Sequence, residues 1–362
     1  MKFSINSFLI LFFISCAAPP EVMNRAKVGQ FLNNKMMGGY EATFTIPVLF
    51  STLRKTNAAS PLACSNAYYT TEHDKDEKYG VCWVSVPAQH DIGGVDIIPD
   101  VKLDKTYKFQ AHQTYDKNGF LDQINVDKSG DILVFVHGFN VPFEEAVLRA
   151  SQIKYDLKFS GPVVLFSWAS GAEDSVIKNL KLKSTYTSNQ ESAKNSISQF
   201  ANFIDTISKT NKSIYLIVHS MGHQIVLPAI SSIQTNNKII EELILNAPDF
   251  DSVEFKNISS NLKKISKRVT VYCSPGDNAL TASSQVNKGK RIGSCEKVDG
   301  IDMINVNSID SPFMGVGGLG HGYYSSRPVL TDLYQVLLGL DVSKRLFIRK
   351  SEEPTEDYVL RK

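Results

Sequence analysis

Ten residues in the second half of the chain constrain its fold more than any others. Ile214, Tyr215, Leu216, Ile217 and Val218 form an apolar run that leads into His219, Ser220, Met221, Gly222 and His223. An apolar run this short reads as a strand buried on both faces, as in parallel sheets. The amphipathic stretch that follows, Gln224 to Ile233, reads as a helix. Ser220 therefore falls at a sharp strand-to-helix turn, which strains the backbone of that residue and lifts its hydroxyl above the sheet. Gly222 leaves room for the strand and helix to approach each other. The glycine-x-serine-x-glycine pattern of such turns is met only in part, because Val218 stands at the first glycine.

The surrounding sequence extends this strand into a sheet. Ile132–Val136, Pro162–Trp168, Leu243–Leu245, Val269–Tyr272 and Ile301–Val306 read as further strands. Between them, helical spacing runs through Phe143, Ala146, Val147, Ala150, Ile153 and Leu157, and again over 192–207, 253–265 and 329–340. Alternating strands and helices predict a mostly parallel central sheet with helices on both faces. Ahead of it, Ile46–Phe50 and Tyr79–Val86 predict an antiparallel start to the sheet, with a polar loop between them. The folded domain is expected over 44–348, followed by a charged, frayed tail over 349–362. A chain of 362 residues suits one large domain of this kind. Its net charge of +2 provides no electrostatic ground for a nucleic-acid partner.

The N-terminus reads as an export signal. Lys2 precedes the apolar run Phe8–Ile14, which is too short to span a membrane, and Ser15, Cys16, Ala17 and Ala18 follow. A cysteine at that place resembles a bacterial lipobox, in which Cys16 becomes the lipidated first residue of the mature chain. The rival reading is a plain signal cut near Ala17 or Ala18. The expected division is a signal peptide over 1–15 and a lipidated tether over 16–43, with the membrane as partner through the lipid. The absence of an aspartate after Cys16 points, under the enterobacterial sorting rule, to the outer membrane. Export leaves Cys64, Cys82, Cys273 and Cys295 in an oxidising compartment. Four cysteines allow three connectivities. The economical one joins the local pairs, Cys64–Cys82 and Cys273–Cys295. Zinc is the rival, but no C-x-x-C spacing supports it.

An activated serine needs a base, and the base needs an orienter. At a turn of this type in an α/β-hydrolase the chain order is serine, acid, histidine, each beyond the C-terminal end of a strand. Only His223 and His321 follow Ser220. His223 lies in the helix leaving the turn, where its ring should point away from the serine, so His321 is the expected base. Asp277 follows the second strand after the serine strand and Asp249 follows the first. The later position favours Asp277, with Asp249 as the alternative acid. The loser would be a turn or helix-cap aspartate. The expected oxyanion donors are the N–H groups of Met221 and of Phe139, with Asn140 as an alternative to Phe139. His137 and His219 are expected to prop loops. The run Gly315–Gly320 matches a dinucleotide fingerprint but sits too late in the fold, just before His321, to act as one. No metal or organic cofactor is called for.

Several blocks together resemble one branch of the alpha/beta-hydrolase superfamily, a bacterial family of unknown function grouped with esterases and lipases. They are His137-Gly138-Phe139-Asn140, Phe143–Ala146, Phe166-Ser167-Trp168, His219–Gly222, Ala247-Pro248-Asp249 and Gly320-His321. The resemblance begins near Phe50–Arg54, continues through Tyr79-Gly80 and Val86–His90, and runs to about residue 340. It implies the alpha/beta-hydrolase fold and an ester-type site, and it makes Val218 unexceptional. Asn189 departs from it, since the family tends to carry an aspartate there. The expected function is a serine hydrolase that cleaves a small-molecule or lipid carboxylic ester, or a thioester, through an acyl-enzyme. The alternative is a non-catalytic envelope lipoprotein that keeps the fold for binding. Trp168–Gln190, polar and lysine-bearing, is the candidate lid, and its composition favours an esterase over a lipase. A peptidase is a further chemical option.

Overall fold

The computed structural model of the chain describes residues 43–87, 90–95, 106–172, 182–235, 237–309 and 321–361. The export signal, Cys16 and its tether up to residue 42, the glycine run 315–320 and residues 173–181 of the candidate lid lie outside the described residues. In chain order the elements are β1 (Thr43–Thr56), β2 (Tyr69–Pro87), β3 (Lys108–Tyr115), α1 (Lys117–Val126), β4 (Asp131–Val136), α2 (Phe143–Asp156) and β5 (Val163–Ser167). Then come α3 (Leu182–Asn195), α4 (Ile197–Ser208), β6 (Ser213–His219), α5 (His223–Ser231), β7 (Ile240–Asn246), α6 (Ser252–Ile265) and β8 (Ser266–Cys273). The chain closes with α7 (Asn278–Asn287), β9 (Asp302–Asn305), α8 (Arg327–Leu337), β10 (Ile348–Lys350) and β11 (Tyr358–Leu360).

The strands form one sheet in the order β10-β11-β9-β8-β7-β6-β4-β5-β1-β2-β3. From β11 across to β1 every neighbouring pair is parallel. Antiparallel pairs close both ends, β1–β2–β3 at one and β10–β11 at the other. Every residue of β4 is buried. Its side chains alternate between two cores: Ile132, Val134 and Val136 pack with Phe200, Phe203 and Ile225, whereas Leu133 and Phe135 pack with Phe143, Val147 and Leu333. Burial on both faces explains why the central strands read as continuous apolar runs. Because all of them point the same way, the loops at their C-terminal ends share one rim.

The sheet departs from expectation at its margins. The stretch over 51–78 is a loop only at 57–68. β1 runs on to Thr56 and β2 begins at Tyr69, with Arg54 paired to His73 and Thr56 to Tyr69. Much of this extension is only half buried, so main-chain pairing sustains it rather than an apolar stripe. The Cys64–Cys82 bridge ties its connecting loop to β2. The edge strand β3 and helix α1 are additional to the expected elements, and β3 buries none of its side chains fully. The single helix expected over 192–207 is two helices that meet at Ser196. The charged tail also needs correction: β11 pairs with β9, β10 pairs with β11, and Leu360 is fully buried. The folded domain therefore extends to residue 361. Arg349 and Lys350 point to solvent from a strand edge, a common protection against edge-to-edge pairing.

Both local cysteine pairs are disulfides, Cys64–Cys82 and Cys273–Cys295. The four sulfurs are thereby used up, which removes the zinc reading of those residues. Among the described residues no helix is long and apolar enough to cross a membrane.

Candidate active site

β6 ends at His219, and Ser220 opens a short 3-10 turn, Ser220–Gly222, that runs into α5. Ser220 has φ +52°, in the left-handed region. That conformation costs a non-glycine residue about 1–3 kcal/mol and persists only where the surroundings hold it. Here the Ser220 carbonyl accepts from the Asp249 N–H at 3.3 Å and from His223 Nδ1 at 2.6 Å. His223 thus does not turn away from the serine residue altogether: its ring grips the main chain and leaves the hydroxyl alone. Two glycines let the loop after β4 pass against the turn. A Cβ on Gly138 would lie 2.7 Å from Ser220 Cβ, and one on Gly222 would lie 2.7 Å from the His137 carbonyl oxygen. Gly222 is needed for this loop, not only for the approach of strand and helix.

His321 precedes α8 and reaches back over the rim. Its Nε2 lies 2.7 Å from Ser220 Oγ, and its Nδ1 lies 2.6 Å from Asp277 Oδ2. All three residues are buried. The carboxylate holds the ring proton on Nδ1, so Nε2 is left to accept from the serine hydroxyl. Asp277 follows β8 and is also the N-cap of α7, its Oδ1 accepting from the Leu280 N–H at 3.0 Å. The acid that meets His321 and the cap of a helix, treated as alternatives in the sequence, are one residue here. One oxygen fixes the carboxylate to the helix and the other meets the imidazole. The Cys273–Cys295 bridge begins at the last residue of β8, four positions before Asp277.

Asp249 does not meet His321. Its Oδ1 pairs with Arg291 Nε at 3.1 Å and accepts from Ser283 Oγ, and its Oδ2 accepts from Tyr186 Oη at 2.8 Å. The other histidines of the rim are held neutral. Burial pushes His137 and His223 down to about 3. Burial, helped by the nearby His321 and His223, drives His219 well below its usual value. The His137 ring stacks on Trp168 at 5.4 Å and its carbonyl accepts from Trp168 Nε1, so it does prop a loop. His219 stacks on Tyr324 at 3.8 Å. Tyr324 had no signal in the sequence, since nothing but the fold brings a residue beyond His321 against β6.

Met221 directly follows the serine and is buried. Phe139 directly follows Gly138, and its ring packs on Tyr186 at 5.6 Å. The Asn140 N–H is already taken, donating to Asn189 Oδ1 at 3.2 Å. Of the two donors considered for the loop after β4, the Asn140 N–H is the one engaged among the described residues. Among the described residues no cluster of three or more metal-ligating side chains occurs.

A parallel sheet covered on both faces, with a serine on a strained strand-to-helix turn at its C-terminal rim, defines the alpha/beta-hydrolase fold. Residues 112–340 match the family described as alpha/beta hydrolase of unknown function (DUF900), and the chain belongs to that family. The match starts after β1 and β2, so it does not take in the earlier blocks from Phe50 to His90. Membership supports hydrolase activity in general and specifies no substrate. Nothing matches the chain among curated proteins or solved structures.

Proposed function

We propose that this protein is a serine hydrolase of carboxylic esters or thioesters. The observation that carries the reading is the unbroken line of short hydrogen bonds from Ser220 Oγ through His321 to Asp277. Ser220 Oγ attacks the acyl carbon as His321 Nε2 takes its proton. Asp277 holds the imidazole in place and stabilises the charge it acquires. The N–H groups of Met221 and Phe139 receive the negative oxygen of the tetrahedral intermediate. Collapse breaks the bond to the leaving alcohol or thiol, which departs with the proton from His321. Water, activated by the same imidazole, then attacks the acyl-enzyme and releases the acid. The test is labelling with a fluorophosphonate probe followed by a panel of acyl esters, thioesters and peptides. Wild type should label and turn over while Ser220→Ala does neither. Equal labelling of the two proteins sinks the mechanism.

We further infer that the mature chain is an envelope lipoprotein attached through Cys16. The basic start, the short apolar run and the cysteine after it support this, as do two disulfides, which suit an oxidising compartment. Metabolic labelling with an alkyne fatty acid should mark the wild-type chain and miss Cys16→Ser.

A further inference from the structure

Arg54 lies in β1 and is fully buried. Among the described residues no carboxylate pairs with it. Its guanidinium donates instead to oxygens of three other segments: Nε to Ser167 Oγ at 2.9 Å, Nη1 to the carbonyls of Ser170 at 2.8 Å and Thr70 at 3.2 Å, and Nη2 to the Val141 carbonyl at 2.7 Å. Burying a cation without a counter-charge is expensive, and an apolar side chain would fill the space at lower cost. What an apolar residue lacks is a rigid fork of donors that holds several carbonyls at once.

Beside it, Asn189 on α3 is buried, and its Oδ1 accepts from the N–H groups of Asn140 at 3.2 Å and Gly171 at 3.0 Å. Its Nδ2 donates to the Gly171 carbonyl at 3.0 Å. Ser170 lies between Arg54 and Asn189. Its Oγ accepts from the Val141 N–H at 3.2 Å and lies 2.9 Å from Asn189 Oδ1 and 3.1 Å from the Gly138 carbonyl; Asn189 Oδ1 already accepts two N–H groups, so the carbonyl takes the hydroxyl proton.

The Gly138 carbonyl shares a peptide plane with the Phe139 N–H. In a planar trans peptide the two point in opposite directions. The same oxygen also lies 3.1 Å from His137 Nδ1, and anchoring it inward between that ring and Ser170 aims the Phe139 N–H outward. The next residues are pinned at the Asn140 N–H, the Val141 N–H and the Val141 carbonyl, although Asn140 itself takes φ +54°. We propose that Arg54, Ser170 and Asn189 are positioning residues that preset the Phe139 N–H as an oxyanion donor. This rests on the hydrolase reading above. None of the three has to touch substrate.

The test compares Ser170→Ala, Asn189→Leu, Asn189→Asp and Arg54→Met with wild type on a short-chain p-nitrophenyl ester. It adds the affinity of a trifluoromethyl ketone, which forms a tetrahedral adduct on the serine, and the thermal midpoint of each protein. Ser170→Ala and Asn189→Leu should lower kcat by about 10- to 100-fold, with KM within about threefold and ketone affinity falling in proportion to kcat/KM. Asn189→Asp, which keeps the acceptor oxygen, should recover most of the loss seen in Asn189→Leu. If Arg54→Met does not fold, Ser170→Ala still decides, because it removes one hydroxyl and leaves the cation in place. The proposal is overturned if Ser170→Ala keeps kcat within twofold of wild type, or if kcat falls while ketone affinity holds. A wild-type protein that neither labels at Ser220 nor hydrolyses any ester overturns the hydrolase reading and this inference with it. An active wild type with an unaffected Ser170→Ala overturns this inference alone.

Discussion

Asp249 and Asp277 follow adjacent parallel strands and reach the same rim, yet their surroundings give them different work. Asp277 has one oxygen on the N-terminus of α7 and the other on His321. Asp249 has both oxygens committed to Arg291, Ser283 and Tyr186. It reaches the serine only through its own N–H, which braces the Ser220 carbonyl. Ion-pairing with Arg291 makes Asp249 part of the scaffold, whereas the second oxygen of Asp277 is left for the imidazole of His321. A carboxylate at a strand end is thus assigned by what already occupies its lone pairs, not by its position along the chain.

The largest effect expected is from Ser220→Ala, which should lower kcat by about a millionfold, as removal of a nucleophile does in comparable triads. Asp277→Asn sharpens the comparison. It should cost about 10⁴-fold in kcat with little change in thermal midpoint, because an amide still fits the cap but no longer imposes the right imidazole tautomer. Asp249→Asn should do the reverse. It leaves Arg291 buried without its counter-charge, at a cost of about 3–5 kcal/mol in denaturant unfolding, while kcat stays within about tenfold. If Asp249→Asn matched Asp277→Asn in kcat, the division between the two acids would collapse.

The disulfides extend the contrast. The bridges close loops with separations of 18 and 22 residues, and the loss of either should cost about 3 kcal/mol of stability. Only the Cys273–Cys295 pair lies beside the Asp277 loop. Replacing that pair by serines should also lower kcat, whereas the Cys64, Cys82 double variant should match wild type in kcat at a temperature where both are folded.

The smallest effect expected is in pH. Burial holds His137 and His223 at about 3 in the folded chain, against 6.5 when exposed. The unfolded chain then binds more protons between these values, so stability falls as pH falls below 6.5. Each residue should contribute about 1 kcal/mol of loss between pH 6.5 and 5.5, read as a lower urea midpoint. Above about pH 7.5 the contribution is flat. A midpoint that rose on acidification over this window would contradict the neutral, buried state of both rings.

What the sequence determined by itself was the centre of the fold. β4 to β8 are short apolar runs with turn residues at their ends, and burial on both faces writes that pattern into consecutive side chains. The serine turn was legible for the same reason, with Gly222 marking a close approach. His321 could be named because only two histidines follow the serine, and the two candidate acids because each follows a strand beyond the serine strand. Chain position favoured Asp277, but only the tertiary structure gives Asp249 its partners Arg291, Ser283 and Tyr186, all remote in the chain from it, and leaves Asp277 against His321. Tertiary structure alone recruited the margins of the sheet, the β1–β2 extension and β10–β11, whose strands are held by main-chain hydrogen bonds. Main-chain pairing draws on groups that every residue carries, so it leaves no periodic trace in side-chain polarity, whereas double-sided burial does.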